Sequence, residues 1–189
     1  STGLFQHAKY TIATRDFGYC TDDNARAIIV AGKFYNHFGG IEALKLLNRY
    51  ISFCQFAQDE DGNVRNFMTY DRRWCDDVLH DALGRLLWGL GTVIASPPES
   101  RYLPVVKEMF DKSVRHVSSQ STRGKAYCIL GMADYLGPFA GASEIKRALA
   151  GACADLLVEF NSHACEKWDW FENLLAYDNG IVPCALMVG

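Results

Sequence analysis

The sequence predicts an all-α protein, and three observations carry that prediction. Long segments place apolar residues at helical spacing. β-Branched residues rarely alternate with polar ones, so strand signals are weak. The helical segments also alternate between two kinds, one apolar nearly all round and one amphipathic. A helix that is apolar on every side is buried, whereas one with a single apolar stripe lies at a surface. A buried helix followed by an amphipathic one, three times over, describes hairpins whose first helix lines an interior and whose second forms an outer wall. Rings or arcs of such hairpins are α/α toroids, and straight stacks are solenoids.

The first buried segment is Asp23 to Phe38, with Ala25, Ala27, Ile28, Ile29, Val30, Ala31, Phe34 and Tyr35. Ile41 to Gln58 is its amphipathic partner, with Leu44, Leu47, Ile51 and Cys54 set against Glu42, Lys45, Asn48 and Arg49. Ala82 to Ala95 is apolar and glycine-rich, followed by amphipathic Tyr102 to Val117. Lys125 to Leu136 is again mostly apolar, and Glu144 to Phe160 again amphipathic. A seventh helix is expected to start near Asn179. The turns from inner to outer helix are short and made of breakers: Gly39-Gly40, Ser96-Pro97-Pro98, and Gly137 through Gly141. Two outer-to-inner connections are long, Asp59 to His80 and Asn161 to Asp178, and long ordered connections usually carry function.

The chain has 189 residues, 49% of them hydrophobic, which suits one domain with a substantial core. A net charge of -3 without a basic stripe argues against a nucleic-acid partner. Charged residues interrupt every apolar run, which argues against a membrane span. The seven cysteines are odd in number, irregularly spaced and mostly set in apolar helical patterns. They point to a reducing, cytoplasmic setting rather than a disulfide framework or zinc site. The ends lack an initiator Met and a polar tail, so residues 1–189 read as a single partial domain from a longer protein.

The chemistry gathers where the inner helices begin. Tyr19-Cys20-Thr21-Asp22-Asp23-Asn24-Ala25-Arg26 opens the first. A helix N-terminus explains one capping acid there, and it would hold a carboxylate ionised, as a base or nucleophile requires. The second Asp, with Asn24 and Arg26 in the same turn, exceeds what capping needs. In the first long connection, Tyr70 and Trp74 offer stacking faces for a sugar ring, while Asp71 and Arg72 offer hydroxyl-binding groups. An ion-pair knot pinning the loop is the plainer account of the same residues. His80, Asp81 and Arg85 open the second inner helix. In the other long connection, Glu172 lies among Trp170, Phe171 and Leu174; burial there would raise its pKa and suit it to general-acid work. Asn173 follows, and Asp178-Asn179 echoes Asp23-Asn24 at the start of an inner helix. Phe5 to Tyr10, with His7, forms a polar-aromatic arm that could fold over the cleft. No phosphate loop, Ser-His-Asp signature or dinucleotide fingerprint is present, so no cofactor is expected. His7, His37, His116 and His163 lack metal-ligand spacing, so no metal is expected either.

Taken in order, Tyr19 to Ala27, Arg65 to Trp74, Gly84-Arg85 with Leu87 to Gly91, and Trp170-Phe171-Glu172 with Tyr177-Asp178-Asn179 resemble a known family. It is a bacterial α/α-toroid domain, similar to the six-hairpin glycosidases, that often follows a glycosyltransferase domain in one polypeptide. The resemblance covers nearly the whole chain. It implies a carbohydrate-active toroid of which about half is present, three hairpins and the start of a fourth. One departure stands out: the resemblance leads one to expect a more acidic connection and a polar residue before Gly84-Arg85, where this chain has Val78 to Leu83.

These readings converge on hydrolysis of a glycosidic bond in an oligosaccharide or glycoconjugate. Glu172 is the expected general acid, and Asp22 or Asp23 the base or nucleophile. Tyr19, Tyr70, Trp74 and Trp170 would hold the sugar, while Arg26, Arg72, Asn173 and Asn179 bind its hydroxyls. Asn24, Asp71, His80, Asp81, Arg85 and Asp178 complete the candidate binding set. The alternative is a non-catalytic domain that binds or positions the acceptor for a fused glycosyltransferase. A helical scaffold for protein partners is a third reading, and it predicts stripes along the outer helices rather than unusual residues gathered at one end.

Overall fold

The structure is a computed structural model that describes residues 2–75 and 81–189. It is mostly helical. The helices are α1 (Thr21–Phe38), α2 (Ile41–Ala57), α3 (Ala82–Ala95), α4 (Leu103–Ser113), α5 (Thr122–Leu136), α6 (Ser143–His163) and α7 (Ile181–Val188). Helix α4 runs on as a tight 3-10 segment, Val114–Ser119. The only regular strands among the described residues are two-residue pieces. β1 (Ala8–Lys9) pairs antiparallel with β2 (Ile12–Ala13), and β3 (Tyr19–Cys20) pairs antiparallel with β4 (Phe67–Met68).

The odd-numbered helices pack side by side in the order α1, α3, α5, α7, and α2, α4 and α6 pack against α1, α3 and α5. Glycine sets how closely the inner helices approach. Gly84 faces the Gly124 backbone and Gly91 faces the Gly131 backbone, where an added methyl group would come within 2.4 and 2.3 Å of the carbonyl oxygens. Because the same step along α3 and α5 links both pairs, the two helices run in the same direction. Gly89 meets the Ala25 carbonyl in the same way, which draws α1 against α3. The first turns of the inner helices therefore share one rim.

Leu83, Leu86, Leu87, Leu90 and Ile94 of α3 are fully buried, together with Ile28, Leu47, Phe110, Ile129 and Met132. Side chains of this size each contribute about 1.5–3 kcal/mol on burial. Polar links tie α5 to its outer partner: Thr122 donates to Glu159 at 2.6 Å, and Lys125 pairs with Asp155 and Glu159. The turn between α1 and α2 is left-handed at both Gly39 and Gly40, a conformation that glycine adopts without steric cost.

Two expectations are corrected. Helix α1 is not buried on every side: Val30, Phe34 and Phe38 are exposed, because no described element covers that flank. Its N-terminus is also not capped by its own acids. Cys20 is the N-cap residue and makes no side-chain cap; instead Asn66 of the long connection accepts from the Asp22 amide at 3.2 Å. All seven cysteines are free thiols. Among the described residues no helix is long and apolar enough to cross a membrane.

Candidate functional site

The rim carries two networks of polar side chains that meet at the consecutive residues Tyr177, Asp178 and Asn179 and together span four helix starts. Asp22 contacts Arg26 at 2.9 Å and Arg85 at 3.3 Å, which links α1 to α3. The far side of Arg85 lies 3.8 Å from Asp178, at the entry to α7, and its guanidinium stacks 4.2 Å over the Tyr127 ring of α5. Tyr127 in turn donates its hydroxyl to Asp178. Asp81, the N-cap residue of α3, accepts from Ser121 and from the Tyr177 hydroxyl. Ser121 also caps α5 by accepting from the Gly124 amide at 3.0 Å. Arg123 closes the set by reaching Glu172 at 2.7 Å, donating to Asn179 at 2.9 Å and to the Tyr177 carbonyl, and stacking on the Tyr177 ring.

Burial and charge tune these groups. Burial outweighs the attraction of Arg26, which Asp23 touches, and raises the Asp23 carboxyl above the ordinary aspartate value. That is the reverse of the ionised base expected from helix position alone. Burial, then the hydrogen bond to Asp81, pushes the Tyr177 hydroxyl up to about 12. Tyr127 shifts in the same direction for the same reasons, with Asp178 as its acceptor. Both tyrosines therefore stay protonated as donors near neutral pH.

The structure brings together Asp22, Asp23, Arg26, Asp81, Arg85, Glu172, Asp178 and Asn179. Glu172 is corrected: no apolar pocket holds it, because the Arg123 guanidinium faces its carboxyl. Asn24 is fully buried, with its amide committed to the Leu4 backbone at 2.8 Å and to the Cys20 carbonyl, so it fastens the N-terminal arm. Tyr19 is buried and stacks on Phe5 at 4.8 Å, leaving no open face for a ligand. Trp74 lies between Phe53, Phe56 and the Arg65 guanidinium, and Trp170 packs edge-on to Phe171 against the main core.

Tyr70, Asp71 and Arg72 form an exposed hairpin tip. Asp71 accepts from Thr69 and pairs with Arg73 at 2.6 Å, which lowers its pKa, the Thr69 bond first. Arg72 has a left-handed backbone, and Tyr70 carries Arg15 over its ring at 5.3 Å. Among the described residues no hydrogen bond or ion pair joins this tip to the rim set; the knot reading fits it better than a sugar clamp. Asn173 is exposed, and His80 lies outside the described residues.

Sequence reasoning missed Arg123, Tyr127 and Ser121, and gave Tyr177 no role. The signal was present: Arg26, Arg85 and Arg123 each fall within the first few residues of an inner helix that is otherwise apolar. Other cavities lie away from the rim. An apolar groove of about 660 Å³ runs between α1 and α2 and touches the rim only at Asp23 and Arg26. One of about 380 Å³ sits at the opposite ends of α1, α3 and α5, lined by Lys33, His37 and Asp134 among others. Neither gathers several carboxylates as the rim does. No protein-family model matches the chain, and no curated protein matches it.

Proposed function

We propose that the chain is a carbohydrate-active domain, an arc of α/α-toroid hairpins whose rim binds a glycan and cleaves a glycosidic bond. One observation carries the reading: acids, guanidiniums and tyrosines from the starts of α1, α3, α5 and α7 gather at one rim in two networks that meet at Tyr177 to Asn179. Polyhydroxylated rings need dense, oriented donors and acceptors of this kind, and bond cleavage needs two carboxyls with opposite proton roles. Burial suits Asp23 to the acid role, and Asp22, held against Arg26 and Arg85, takes that of base or nucleophile. Glu172 then serves as a hydroxyl acceptor positioned by Arg123. Tyr177, more than half exposed, offers the open aromatic face. The exposed apolar flanks at Val30 and Phe34 of α1 and at Val158 and Met187 of α6 and α7 fit an arc belonging to a larger ring. A cytoplasmic setting, read from the free thiols, belongs to the same proposal.

A specific observation favours a second reading, that of a non-catalytic glycan-binding domain serving a fused glycosyltransferase: every carboxylate of the set already pairs with a partner in the protein. Incubation with manno- and gluco-oligosaccharides separates the two. Hydrolysis is expected, and Asp23→Asn is expected to slow it by about 10²–10⁴-fold, the usual contribution of a general acid, while binding persists. Binding without turnover by the unaltered protein would favour the accessory role.

A further inference from the structure

We infer that the rim accepts uncharged glycans and rejects anionic ones, uronates and nucleotide sugars included. This inference rests on the carbohydrate reading above and specifies its substrate class. Among the described residues the set holds five acidic side chains, Asp22, Asp23, Asp81, Glu172 and Asp178, against three guanidiniums, Arg26, Arg85 and Arg123, and acids still outnumber cations with Asp23 protonated. Acids exceed cations, and the placement of the charges matters more than the count. The Arg85 and Arg123 side chains are only 9% and 6% exposed, while their partners Asp178, Glu172 and Asp22 are 40%, 27% and 26% exposed. Arg26, the exposed cation, already has both Asp22 and Asp23 on one nitrogen. At Arg85 and Arg123 an approaching ligand therefore meets carboxylate oxygens first, and at Arg26, whose side chain is 49% exposed, it meets a guanidinium already paired with two acids. Sites that read carboxylates or phosphates turn the arginine fork outward instead.

A second feature points to a hydroxyl ligand. Arg85 is nine-tenths buried and ion-paired with Asp22 at 3.3 Å and Asp178 at 3.8 Å, and Asp178 is the more exposed of the two acids. A sugar hydroxyl can donate to the exposed carboxylates of Asp178 and Glu172. A carboxylate or phosphate can only accept, and would sit against those same acids. The exclusion of nucleotide sugars also means that this rim, in a glycosyltransferase polypeptide, would meet the acceptor glycan and not the donor.

Calorimetric titration at low ionic strength tests the inference. The protein is titrated with neutral manno- and gluco-trisaccharides, with the corresponding mannuronate and glucuronate trimers, and with UDP-glucose. A neutral trisaccharide is expected to bind at least about tenfold more tightly than its uronate, as removal of one like-charge contact or more would require. UDP-glucose is expected not to bind. Equal or tighter binding of a uronate or of UDP-glucose overturns the inference and leaves the carbohydrate reading standing; silence from every ligand overturns both. Asp178→Asn provides a second arm, since Asn tolerates the left-handed backbone at φ 51 and still offers Tyr127 an acceptor. It should raise uronate affinity about fivefold by removing one like charge, and no change would contradict the inference.

Discussion

Arg123 ties Glu172, Tyr177 and Asn179 together at the rim. Its fork holds the Glu172 carboxylate, the Asn179 amide oxygen and the Tyr177 carbonyl, and its flat face lies under the Tyr177 ring. A lysine could supply the charge but not three directed bonds and a stacking plane, so the two are not interchangeable here. Asp23 shows the opposite balance, since burial acts against its charge more strongly than Arg26 supports it. The folded protein therefore binds the Asp23 proton more tightly than the unfolded chain, whose aspartates titrate at about 3.9. Between that value and the raised folded one, folded molecules hold more protons, so stability falls as pH rises. The contribution is complete below the unfolded value and lost above the folded one. Urea denaturation from pH 3 to 7 should thus show a stability difference between wild type and Asp23→Asn that moves against the wild type as pH increases. A difference that moves in its favour would refute the assignment.

The inner helices depend on bare backbone. At Gly91 and Gly131 a methyl group would come within 2.3 and 2.4 Å of a carbonyl oxygen on the neighbouring helix, so α3 and α5 must separate to admit it. Gly151, on the outer helix α6, has nothing within 4 Å of that position. Gly91→Ala is therefore expected to lose about 1–3 kcal/mol or more to overpacking, and Gly151→Ala to gain about 0.4–1 kcal/mol by restricting the unfolded chain. Thermal melts of the two variants measure both signs. The alternation of buried and amphipathic helices was legible in the sequence because hydrophobic period reports burial directly, and the glycines of α3 were readable as packing residues. The exposed flank of α1 was not legible, since an apolar pattern does not reveal whether a neighbour covers it. The site was half legible. Acids beside helix starts pointed to the right rim, but Tyr19, Trp74 and Trp170 look the same in sequence whether they line a cleft or fill a core. Arg123 was not legible because it lies two residues before Lys125, where the apolar run of the sequence begins.

At the scale of the whole molecule, the parallel inner helices bring segments far apart in sequence, from Asp22 to Asn179, to one polar rim. The opposite ends of the same helices hold a polar cavity, and the α1–α2 flank holds an apolar groove. More than one place among the described residues could thus receive a ligand, and the functional account commits to the rim. Titrating the isotope-labelled protein with a neutral oligosaccharide while following its amide NMR signals tests that commitment most directly. Perturbations should cluster at residues 21–26, 81–88, 121–127 and 170–180. Perturbations centred on Lys33, Asn36, His37 and Asp134, or along Val30, Phe34 and Leu46, would contradict the account.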